Sequence, residues 1–291
     1  MKNLYLQSIS AMELLMSSQD LEAFKTRLNG QPLALVPTMG ALHDGHLTLT
    51  EKAKARGFSV MVSIFVNPRQ FNNPLDLDKY PRTLETDIDK LSSVGVDAVY
   101  IPKYEDVYRQ DQQDVALNLG SLDELFEGFY RPGHFDGVVQ VLYRFFIQIQ
   151  PNAVFFGEKD LQQCMVVKRL IAAYFPFIQY NQIPTVREKS GLAMSSRNQR
   201  LSADGKEKAA CIFRVLSVLK RDCEKGQFPS EKAIQELKSH SIETEYLEWV
   251  ELPTLTPMEL DANRKASPPP QQAIIFAGYL EGVRLIDNLV F

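Results

Sequence analysis

Residues 33–46 read LALVPTMGALHDGH, an apolar run that leads through a turn into the start of an amphipathic stretch. The apolar run Leu33 to Val36 predicts a buried strand, which the following PTMG should interrupt. An amphipathic helix is predicted from about Gly45 to Arg56, and Gly57 should end it. A strand followed directly by a helix is the opening of a βαβ unit, so this stretch predicts a parallel sheet.

The same alternation of strand and helix patterns continues to about residue 184. Further strands are predicted at Phe58 to Val66, Asp97 to Ile101 and Ala153 to Phe156, and helices at Thr83 to Ser93, Val138 to Ile149 and Leu161 to Phe175. The segment after the second strand is rich in Asn and Pro and predicts a loop. Right-handed crossovers would place the strands side by side with helices on both faces. The predicted fold class is therefore α/β, with a doubly wound, Rossmann-like parallel sheet.

The last third of the chain has a different pattern. It predicts helices at Ala203 to Lys225 and Glu231 to His240, followed by strands at Tyr246 to Glu251, Ala273 to Tyr279 and Val283 to Leu289. Helices followed by antiparallel strands indicate a second, smaller α+β domain. We therefore place one domain at residues 1–184 and the smaller one at 185–291. Residues 1–11 are treated as an extension or an expression scar, and Ala266 to Gln272 (ASPPPQQ) predicts a flexible loop.

The composition excludes several classes of protein. The chain has 291 residues and a formal net charge of −4, which argues against a protein whose main partner is nucleic acid. Its sequence contains no apolar run long enough to cross a bilayer, so no membrane partner is expected. Cys164, Cys211 and Cys223 are widely spaced and form no CxxC or Cys/His cluster. We therefore expect neither a disulfide framework nor a zinc site, and a cytoplasmic location.

Two histidines follow the first predicted strand. His43 and His46 are three residues apart, so at the start of a helix they can point the same way, and Gly45 would let a ligand approach the backbone. In an open α/β sheet, a helix amino terminus beyond a strand's carboxyl end favours phosphate. We expect both imidazoles to donate to phosphoryl oxygens. The alternative is a pair of solvated or structural histidines.

Two later stretches have the composition of a nucleotide site. Residues 156–163 read FGEKDLQQ, in which Lys159 could bridge phosphates, Asp160 could accept from ribose hydroxyls and Gln163 suits a hydroxyl or carboxylate. The alternative is a charged helix start with Asp160 as its N-cap. Residues 191–198 read GLAMSSRN and offer hydroxyl, N–H and guanidinium donors that suit a triphosphate. Alone, this segment would be interpreted as a polar turn that caps the next helix.

Six stretches together resemble the pantothenate synthetase family, within the superfamily that shares the HxGH motif. They are VPTMGALHDGHL (36–47), SIFVNPRQF (63–71), YPRTLETD (80–87), GFYRPGHFDGVV (128–139), FGEKDLQQ (156–163) and PTVREKSGLAMSSRN (184–198). The resemblance implies a ligase that uses ATP, with Mg²⁺, to convert pantoate into an acyl-adenylate and then joins it to β-alanine. It also implies a homodimer formed through the first domain.

The resemblance implies a role for each matched residue. The implied catalytic residues are His43, His46, Lys159, Ser195, Ser196 and Arg197. Further ATP contacts are implied for Pro37, Met39, Gly157, Asp160, Val186 and Met194. Pantoate would be held by Gln70 and Gln163, with Met39 and Asn67 beside it. Asp87 would reach the magnesium ion. The plain alternatives are Met39 as core filler, Asn67 and Gln70 as turn residues around Pro68, and Asp87 as a solvated helix carboxylate.

Three positions depart from the family pattern. Leu161 replaces a common aromatic residue, Ser190 an acidic one and Gln140 a small one. We expect Gln140, with its neighbours Val141 and Leu142, to line the pantoate pocket. These departures therefore bear on substrate fit rather than on the phosphate ligands.

Two other functions fit part of the pattern. A nucleotidyltransferase of the same superfamily with a phosphate acceptor would share the histidine motif, but its acceptor should be met by cations rather than by the amides of Gln70 and Gln163. A nucleotide-binding regulator would keep the ATP ligands and need no closed acyl pocket. The full set of motifs favours the ligase.

Overall fold

Two sheets, one parallel and one antiparallel, organise the molecule. The computed structural model describes residues 12–258 and 271–291. Residues 1–11 and most of the predicted loop at Ala266 to Gln272 lie outside these ranges. The strands are β1 (Glu13–Leu15), β2 (Leu33–Thr38), β3 (Ser59–Ile64), β4 (Ala98–Tyr100), β5 (Ala153–Gly157), β6 (Gln179–Ile183), β7 (Glu243–Glu251), β8 (Thr256–Pro257), β9 (Gln272–Leu280) and β10 (Val283–Val290).

Helices connect and cover the two sheets. Those before residue 184 are α1 (Ser18–Leu28), α2 (Asp44–Ala55), α3 (Pro74–Asp78), α4 (Leu84–Ser93), α5 (Tyr104–Val107), α6 (Ser121–Glu124), α7 (Glu127–Tyr130), α8 (His134–Ile149) and α9 (Leu161–Tyr174). Those after it are α10 (Ala203–Ala209), α11 (Cys211–Cys223) and α12 (Ser230–Ser239). In the described ranges, three short 3₁₀ turns lie at Pro68–Gln70, Glu158–Asp160 and Ser196–Arg200.

The parallel sheet has six strands in the order β1-β4-β3-β2-β5-β6. From β2 the chain builds β3 and β4 on one side, whereas β5 and β6 lie on the other, so the direction of winding changes between β2 and β5. Ligands bind in such sheets at the crevice beyond this point. The predicted doubly wound α/β class is confirmed, and two of the predicted phosphate stretches follow these two neighbouring strands.

The prediction that residues 37 and 38 interrupt the first strand is wrong. β2 continues through Pro37 to Thr38, which pairs with Ile64 of β3. Proline is excluded from the middle of a sheet because it has no N–H to donate. Here the pairing of β2 with β5 involves only Ala34 and Leu35, so β2 is bonded on one side only at Pro37.

Several other boundaries differ from those predicted. α8 begins at His134, one turn before the predicted start, and the Asn- and Pro-rich loop contains the short helix α3. The single helix predicted from Ala203 to Lys225 is two helices that meet at Ala210. Glu281 accepts hydrogen bonds from Ser202, just before α10, whereas α11 packs its apolar side chains on the second sheet. The two helices are thus held by different partners.

The antiparallel sheet has the order β10-β9-β7-β8, and α11 and α12 cover one of its faces. β9 is buried on both faces, because Ile274 and Phe276 pack towards these helices while Ala273 and Ile275 share a core with the first domain. The smaller α+β domain is therefore confirmed and is packed closely on the larger one. The boundary between residues 184 and 185 stays a prediction.

Candidate active site

The loop after β2 adopts a constrained backbone. Gly40 and Ala41 both have left-handed conformations, with φ of 79° and 50°. A left-handed alanine is strained unless its surroundings hold it. Asp87 on α4 does so, because its two carboxylate oxygens accept from the N–H groups of Ala41 and Leu42 at 2.8 Å each. This buried carboxylate sets the path along which the chain enters α2.

His43 and His46 lie side by side at the start of α2, with ring centroids 4.1 Å apart. His43 is the N-cap residue, and its N–H points to Nδ1 of His46 at 3.4 Å. Because Nδ1 of His46 accepts this contact, the proton of the neutral ring belongs on Nε2. A Cβ on Gly45 would lie 2.9 Å from the His43 ring. Glycine is therefore needed here so that the imidazole can fold over the helix start. Gly45 also lines the cavity, and close approach of a ligand to its backbone stays a prediction.

Both imidazoles are neutral at physiological pH. Burial, reinforced by electrostatic coupling to His46 and by the positive charge of Lys159, lowers the pKa of His43 to about 2. Burial also lowers the pKa of His46 to about 4, although the carboxylate of Asp160 opposes this shift. A neutral imidazole has one N–H donor. The pair can therefore supply directed hydrogen bonds, while the positive charge of the site comes from lysine and arginine.

The stretch after β5 forms the opposite wall. Lys159 lies in the 3₁₀ turn Glu158–Asp160, and its Nζ is 3.7 Å from the carboxylate of Asp160. Asp160 occupies the N-cap position of α9 but makes no capping hydrogen bond through its side chain, so the capping alternative is not realised. Asn288 on β10 donates to the main-chain oxygens of Glu158 and Lys159 at 3.0 and 2.9 Å. The second domain thus fixes the turn that carries the lysine.

The third stretch lines the same cavity. Ser196 donates to the main-chain oxygen of Ala41 at 2.8 Å, and Ser195 accepts from the N–H of Arg197 at 3.3 Å. The guanidinium of Arg197 is paired with Asp76 on α3 at 2.7 Å, and Arg200 pairs with the same carboxylate at 3.0 Å. Arg197 is therefore held beside the cavity by an anionic side chain.

A buried amide pair lies on the floor of the cavity. Gln70 Nε2 is 3.2 Å from the sulfur of Met39, and its Oε1 accepts from Asn67 at 3.1 Å. Asn67 also donates to the main-chain oxygen of Gly137 and accepts from the hydroxyl of Tyr108. The side chain of Asn67 is therefore hydrogen-bonded to other protein groups. The amino group of Gln70 contacts the sulfur of Met39 instead.

Two adjacent glutamines on α9 have different surroundings. Gln162 is buried and bonded to the backbone of the α6–α7 segment, accepting from Glu127 and donating to Leu122 and Leu125. Gln163 lines the cavity, and across the described ranges 12–258 and 271–291 its side chain has no hydrogen-bond partner. A free amide at a cavity wall is suited to a polar ligand.

One cavity brings the three predicted stretches together. Its lining includes Pro37, Met39, His43, His46, Asn67, Gln70, Gly157, Lys159, Asp160, Gln163, Val186, Met194, Ser195, Ser196 and Arg197. These are all of the predicted site residues except Asp87. The lining combines cations and hydroxyls with two glutamines and several apolar side chains. This arrangement can hold a polyanion next to a small polar acid.

The sequence of almost the whole chain matches a known family. Residues 13–290 match the family described as Pantoate-beta-alanine ligase. The chain belongs to this ligase family. Relatives in the pantoate–β-alanine ligase family include a pantothenate synthetase of Cytophaga hutchinsonii, 42% identical over 264 residues, which are 89% of this chain and 91% of that protein. A pantoate–β-alanine ligase of Schizosaccharomyces pombe is 38% identical over 268 residues, 90% of this chain and 92% of that protein.

Solved structures of the ligase family have the same fold. Pantothenate synthetase from Thermus thermophilus superimposes with a TM-score of 0.82 at 36% identity, covering 96% of this chain and 99% of that one. The pantoate–β-alanine ligase of Francisella tularensis, crystallised with β,γ-ATP and β-alanine, has a TM-score of 0.80 at 33% identity, covering 96% and 98% of the two chains.

Two residues expected at the ligase cavity lie elsewhere. Asp87 is 1% exposed behind residues 39–43, the loop between β2 and α2 that we call the histidine loop. There the N–H groups of Ala41 and Leu42 and the hydroxyl of Thr83 donate to its carboxylate. Gln140 was expected to line the pantoate pocket, and this is wrong. Its amide turns away and bonds to the backbone of Val115 and to Arg144, whereas Val141 and Leu142 do line the cavity.

Sequence reasoning missed several residues that shape the cavity. Tyr80 and Thr185 line it from within two of the matched stretches, and Val138 and Phe145 line it from α8. The apolar pair was interpreted as part of a core helix, since periodicity does not separate a core residue from a pocket wall. Thr185 Oγ1 is buried and has no hydrogen-bond partner within the described part of the chain. A bound ligand could satisfy it.

The described residues contain no group of three or more His, Cys, Asp or Glu side chains that could hold a metal ion. Among the same residues, no helix has both the length and the apolar character needed to cross a membrane. Cys164, Cys211 and Cys223 are buried free thiols. Burial raises the pKa of Cys164 to about 12, so its thiol stays protonated.

Proposed function

We propose that the cavity carries out the family's ligation in two steps, with pantoate activated first. A carboxylate oxygen of pantoate attacks the α-phosphorus of ATP, and pyrophosphate leaves with the electron pair of the broken P–O bond. The amine of β-alanine, once its ammonium group has lost a proton to solvent, then attacks the acyl carbon. The acyl C–O bond breaks, AMP leaves with its electron pair, and the new amide nitrogen releases its extra proton. The observation that carries this proposal is the single cavity in which all three phosphate-binding stretches and both glutamines meet.

The first step requires positioning and charge stabilisation rather than a protein nucleophile. Pantoate is already ionised at neutral pH, because an unperturbed carboxyl group has a pKa of about 4. The triphosphate would be met by the cations Lys159 and Arg197 and by the N–H donors of His43 and His46. Preorganised donors of this kind stabilise the charge that develops during phosphoryl transfer. We therefore assign these four residues, with Ser195 and Ser196, to ATP.

Nucleotide and acid would occupy different walls of the cavity. We assign Asp160 to the ribose, and Pro37, Gly157, Val186 and Met194 to the remaining nucleotide contacts. Gln70 and Gln163 would hold the polar groups of pantoate. Met39, Val141 and Leu142 offer apolar surface to its two methyl groups. Asn67 would act on pantoate through Gln70, whose amide it holds.

A magnesium ion would enter with ATP. The ion usually keeps several waters and binds through one or two carboxylates and the substrate phosphates. It would neutralise charge on the phosphates of ATP. The expected role of Asp87 at the ion stays a prediction, since its oxygens already accept from the backbone.

The second step requires that water be kept from the acyl-adenylate. The loop that carries Met194 and Arg197 closes over the cavity and is bonded to the histidine loop through Ser196. Exclusion of water protects a reactive intermediate. A cytoplasmic location and a homodimer formed through the first domain are further proposals that rest on the family resemblance.

Exchange of labelled pyrophosphate into ATP tests the order of the steps. With magnesium and pantoate but no β-alanine, we expect exchange, because the first step is reversible while the adenylate stays bound. Omission of pantoate should abolish exchange, and Lys159→Ala should reduce it at least ~100-fold. Exchange that requires β-alanine would contradict the stepwise order. Exchange with another carboxylic acid in place of pantoate would contradict the assignment of pantoate as the substrate. If no exchange occurred under any condition, the ligase activity would be contradicted and only nucleotide binding would remain as a function.

A further inference from the structure

A buried carboxylate at the boundary of the two domains has no part in the chemistry above. Glu127, the first residue of α7, is 7% exposed. Arg284 on β10 donates to both of its oxygens, at 2.6 and 2.9 Å, and the hydroxyl of Tyr246 on β7 donates to it at 2.8 Å. The second domain is therefore attached to the first through this side chain.

The same carboxylate is connected to the backbone of Gln70. Arg131 Nη1 lies 3.4 Å from Glu127 Oε2 and 3.0 Å from Nε2 of His134, and Nδ1 of His134 is 2.8 Å from the main-chain oxygen of Gln70. A guanidinium only donates and a carbonyl only accepts, so the ring must accept at Nε2 and donate from Nδ1. A continuous chain of hydrogen bonds thus leads from Arg284 to Gln70.

The ionisation states suit this chain. Burial alone would raise the pKa of Glu127, but the hydrogen bonds and charge of Arg284, with the charge of Arg131, outweigh it and lower the pKa to about 2. Burial and the charge of Arg131 lower the pKa of His134 to about 3. At neutral pH the carboxylate is therefore charged and the imidazole is neutral, as the directions of the hydrogen bonds require.

Glu127 also lies close to the second pantoate glutamine. Its main-chain N–H donates to Gln162 at 3.1 Å, next to Gln163 in α9. Glu127, Arg131, His134 and Gln163 line one small cavity of about 30 Å³. The acid therefore contacts elements that carry both Gln70 and Gln163.

Loss of the charge on Glu127 would affect Arg131 more than Arg284. Arg284 has a second acidic partner, Glu245 on β7, whose carboxylate accepts from its Nε at 2.9 Å. Within the described ranges, Arg131 has Glu127 as its one ion-pair partner. Without that charge, the guanidinium that holds His134 has no anchor, and His134 in turn holds the backbone of Gln70.

We propose that Glu127 is a positioning residue that couples docking of the C-terminal sheet to the placement of Gln70, and hence to pantoate affinity. The proposal rests on the proposed function for the assignment of Gln70 to pantoate. It assigns no chemical step to Glu127.

Glu127→Gln and Glu245→Gln form a matched pair, since each removes one charge from Arg284 and only the first acts on Arg131. We expect Glu127→Gln to raise the KM for pantoate about tenfold or more, the effect of one weakened charge-assisted hydrogen bond, and to leave the KM for ATP within about twofold. Glu245→Gln should leave both constants within about twofold. Equal changes in the two variants, or equal rises in both constants, would overturn the proposal.

Two further variants test the same chain of hydrogen bonds. Arg131→Lys keeps a charge beside Glu127 but removes the guanidinium donor to His134, so it should reproduce the pantoate-selective rise even if Glu127→Gln does not fold. Combination of Glu127→Gln with His134→Gln should raise the KM for pantoate no further than the larger single effect, because both act through one chain. Fully multiplicative effects would contradict that chain.

Failure of this proposal can be told apart from failure of the proposed function. A wild-type protein that shows no pantoate-dependent exchange of pyrophosphate would contradict the function itself. A wild type with normal exchange and a Glu127→Gln variant with an unchanged KM for pantoate would contradict only the coupling.

Discussion

The hydroxyl of Ser196 donates a hydrogen bond of 2.8 Å to the main-chain oxygen of Ala41, although the two residues are 155 positions apart. Both are buried, and each belongs to a loop assigned to ATP. The bond joins the loop that carries Arg197 to the loop that carries His43. Under the proposed function, the ATP subsite would therefore be formed by both loops together.

Ser196→Ala should weaken ATP binding. The substitution leaves the oxygen of Ala41 buried without this donor, at a cost of about 1–3 kcal/mol, which the docked loop must absorb. We expect the KM for ATP to rise about tenfold, corresponding to ~1.4 kcal/mol, with a smaller change for pantoate. Ser217→Ala is a matched control, because that hydroxyl bonds to Phe213 within α11. An unchanged KM for ATP in Ser196→Ala would contradict the role of this bond.

The adenylation rate should not depend on histidine protonation near neutral pH. The pKa of His43 is lowered to about 2 and that of His46 to about 4, so both rings stay neutral as the pH falls from 8 to 5.5. Pyrophosphate exchange at saturating ATP and pantoate should therefore show no decrease with an apparent pKa near 6.5. Such a decrease, if it disappeared in His46→Gln, would show that the ring titrates in this range.

The free energy of unfolding should fall as the solution is acidified. His134 takes up a proton near pH 6.5 when unfolded but only near pH 3 when folded, so acid favours the unfolded chain. Between pH 7.5 and 5 this group alone should cost about 2 kcal/mol of stability. Urea unfolding at both pH values would measure the difference. His134→Gln should reduce that difference by about this amount, and an equal difference in both proteins would contradict the buried neutral ring.

Gln163→Leu should impair pantoate binding without loss of stability. Its amide lines the cavity and has no protein partner in the described part of the chain, so the KM for pantoate should rise well above tenfold, with little change for ATP. Gln162→Leu should instead lower the midpoint of thermal unfolding, because that amide makes three buried backbone hydrogen bonds. A larger effect of Gln163→Leu on ATP would place the side chain at the other substrate.

Asp87→Asn should destabilise the histidine loop. The amide replaces one acceptor with a donor that faces the N–H of Ala41 or Leu42, and charged hydrogen bonds of this kind contribute about 1.5–3 kcal/mol. We expect the free energy of unfolding to fall by about 2 kcal/mol and adenylation to slow. The half-saturating magnesium concentration tests the sequence-based role separately. It must rise several-fold if Asp87 reaches the ion, and an unchanged value would leave Asp87 as a loop anchor only.

The sequence was most informative where a property is local. Periodicity placed α2, α4, α9 and α12 to within a turn, because a helix that buries one face must repeat its apolar residues. It failed at Pro37, where the outcome depends on whether a neighbouring strand is paired at that point. It also failed at Ala210, where two helices are held by different partners.

The motifs predicted which residues line the cavity. Phosphate binding requires hydrogen-bond donors and cations of a few chemical types, and in parallel sheets these lie at the carboxyl ends of the strands. The sequence alone therefore determined the α/β class, the family resemblance and the set of side chains that meet in the cavity. Only the tertiary structure decided how they are held. That Asp87 fixes a strained alanine, that Gln140 faces away and that Glu127 links Arg284 to Gln70 depend on contacts between distant segments, and such contacts leave no periodic or local signal in the chain.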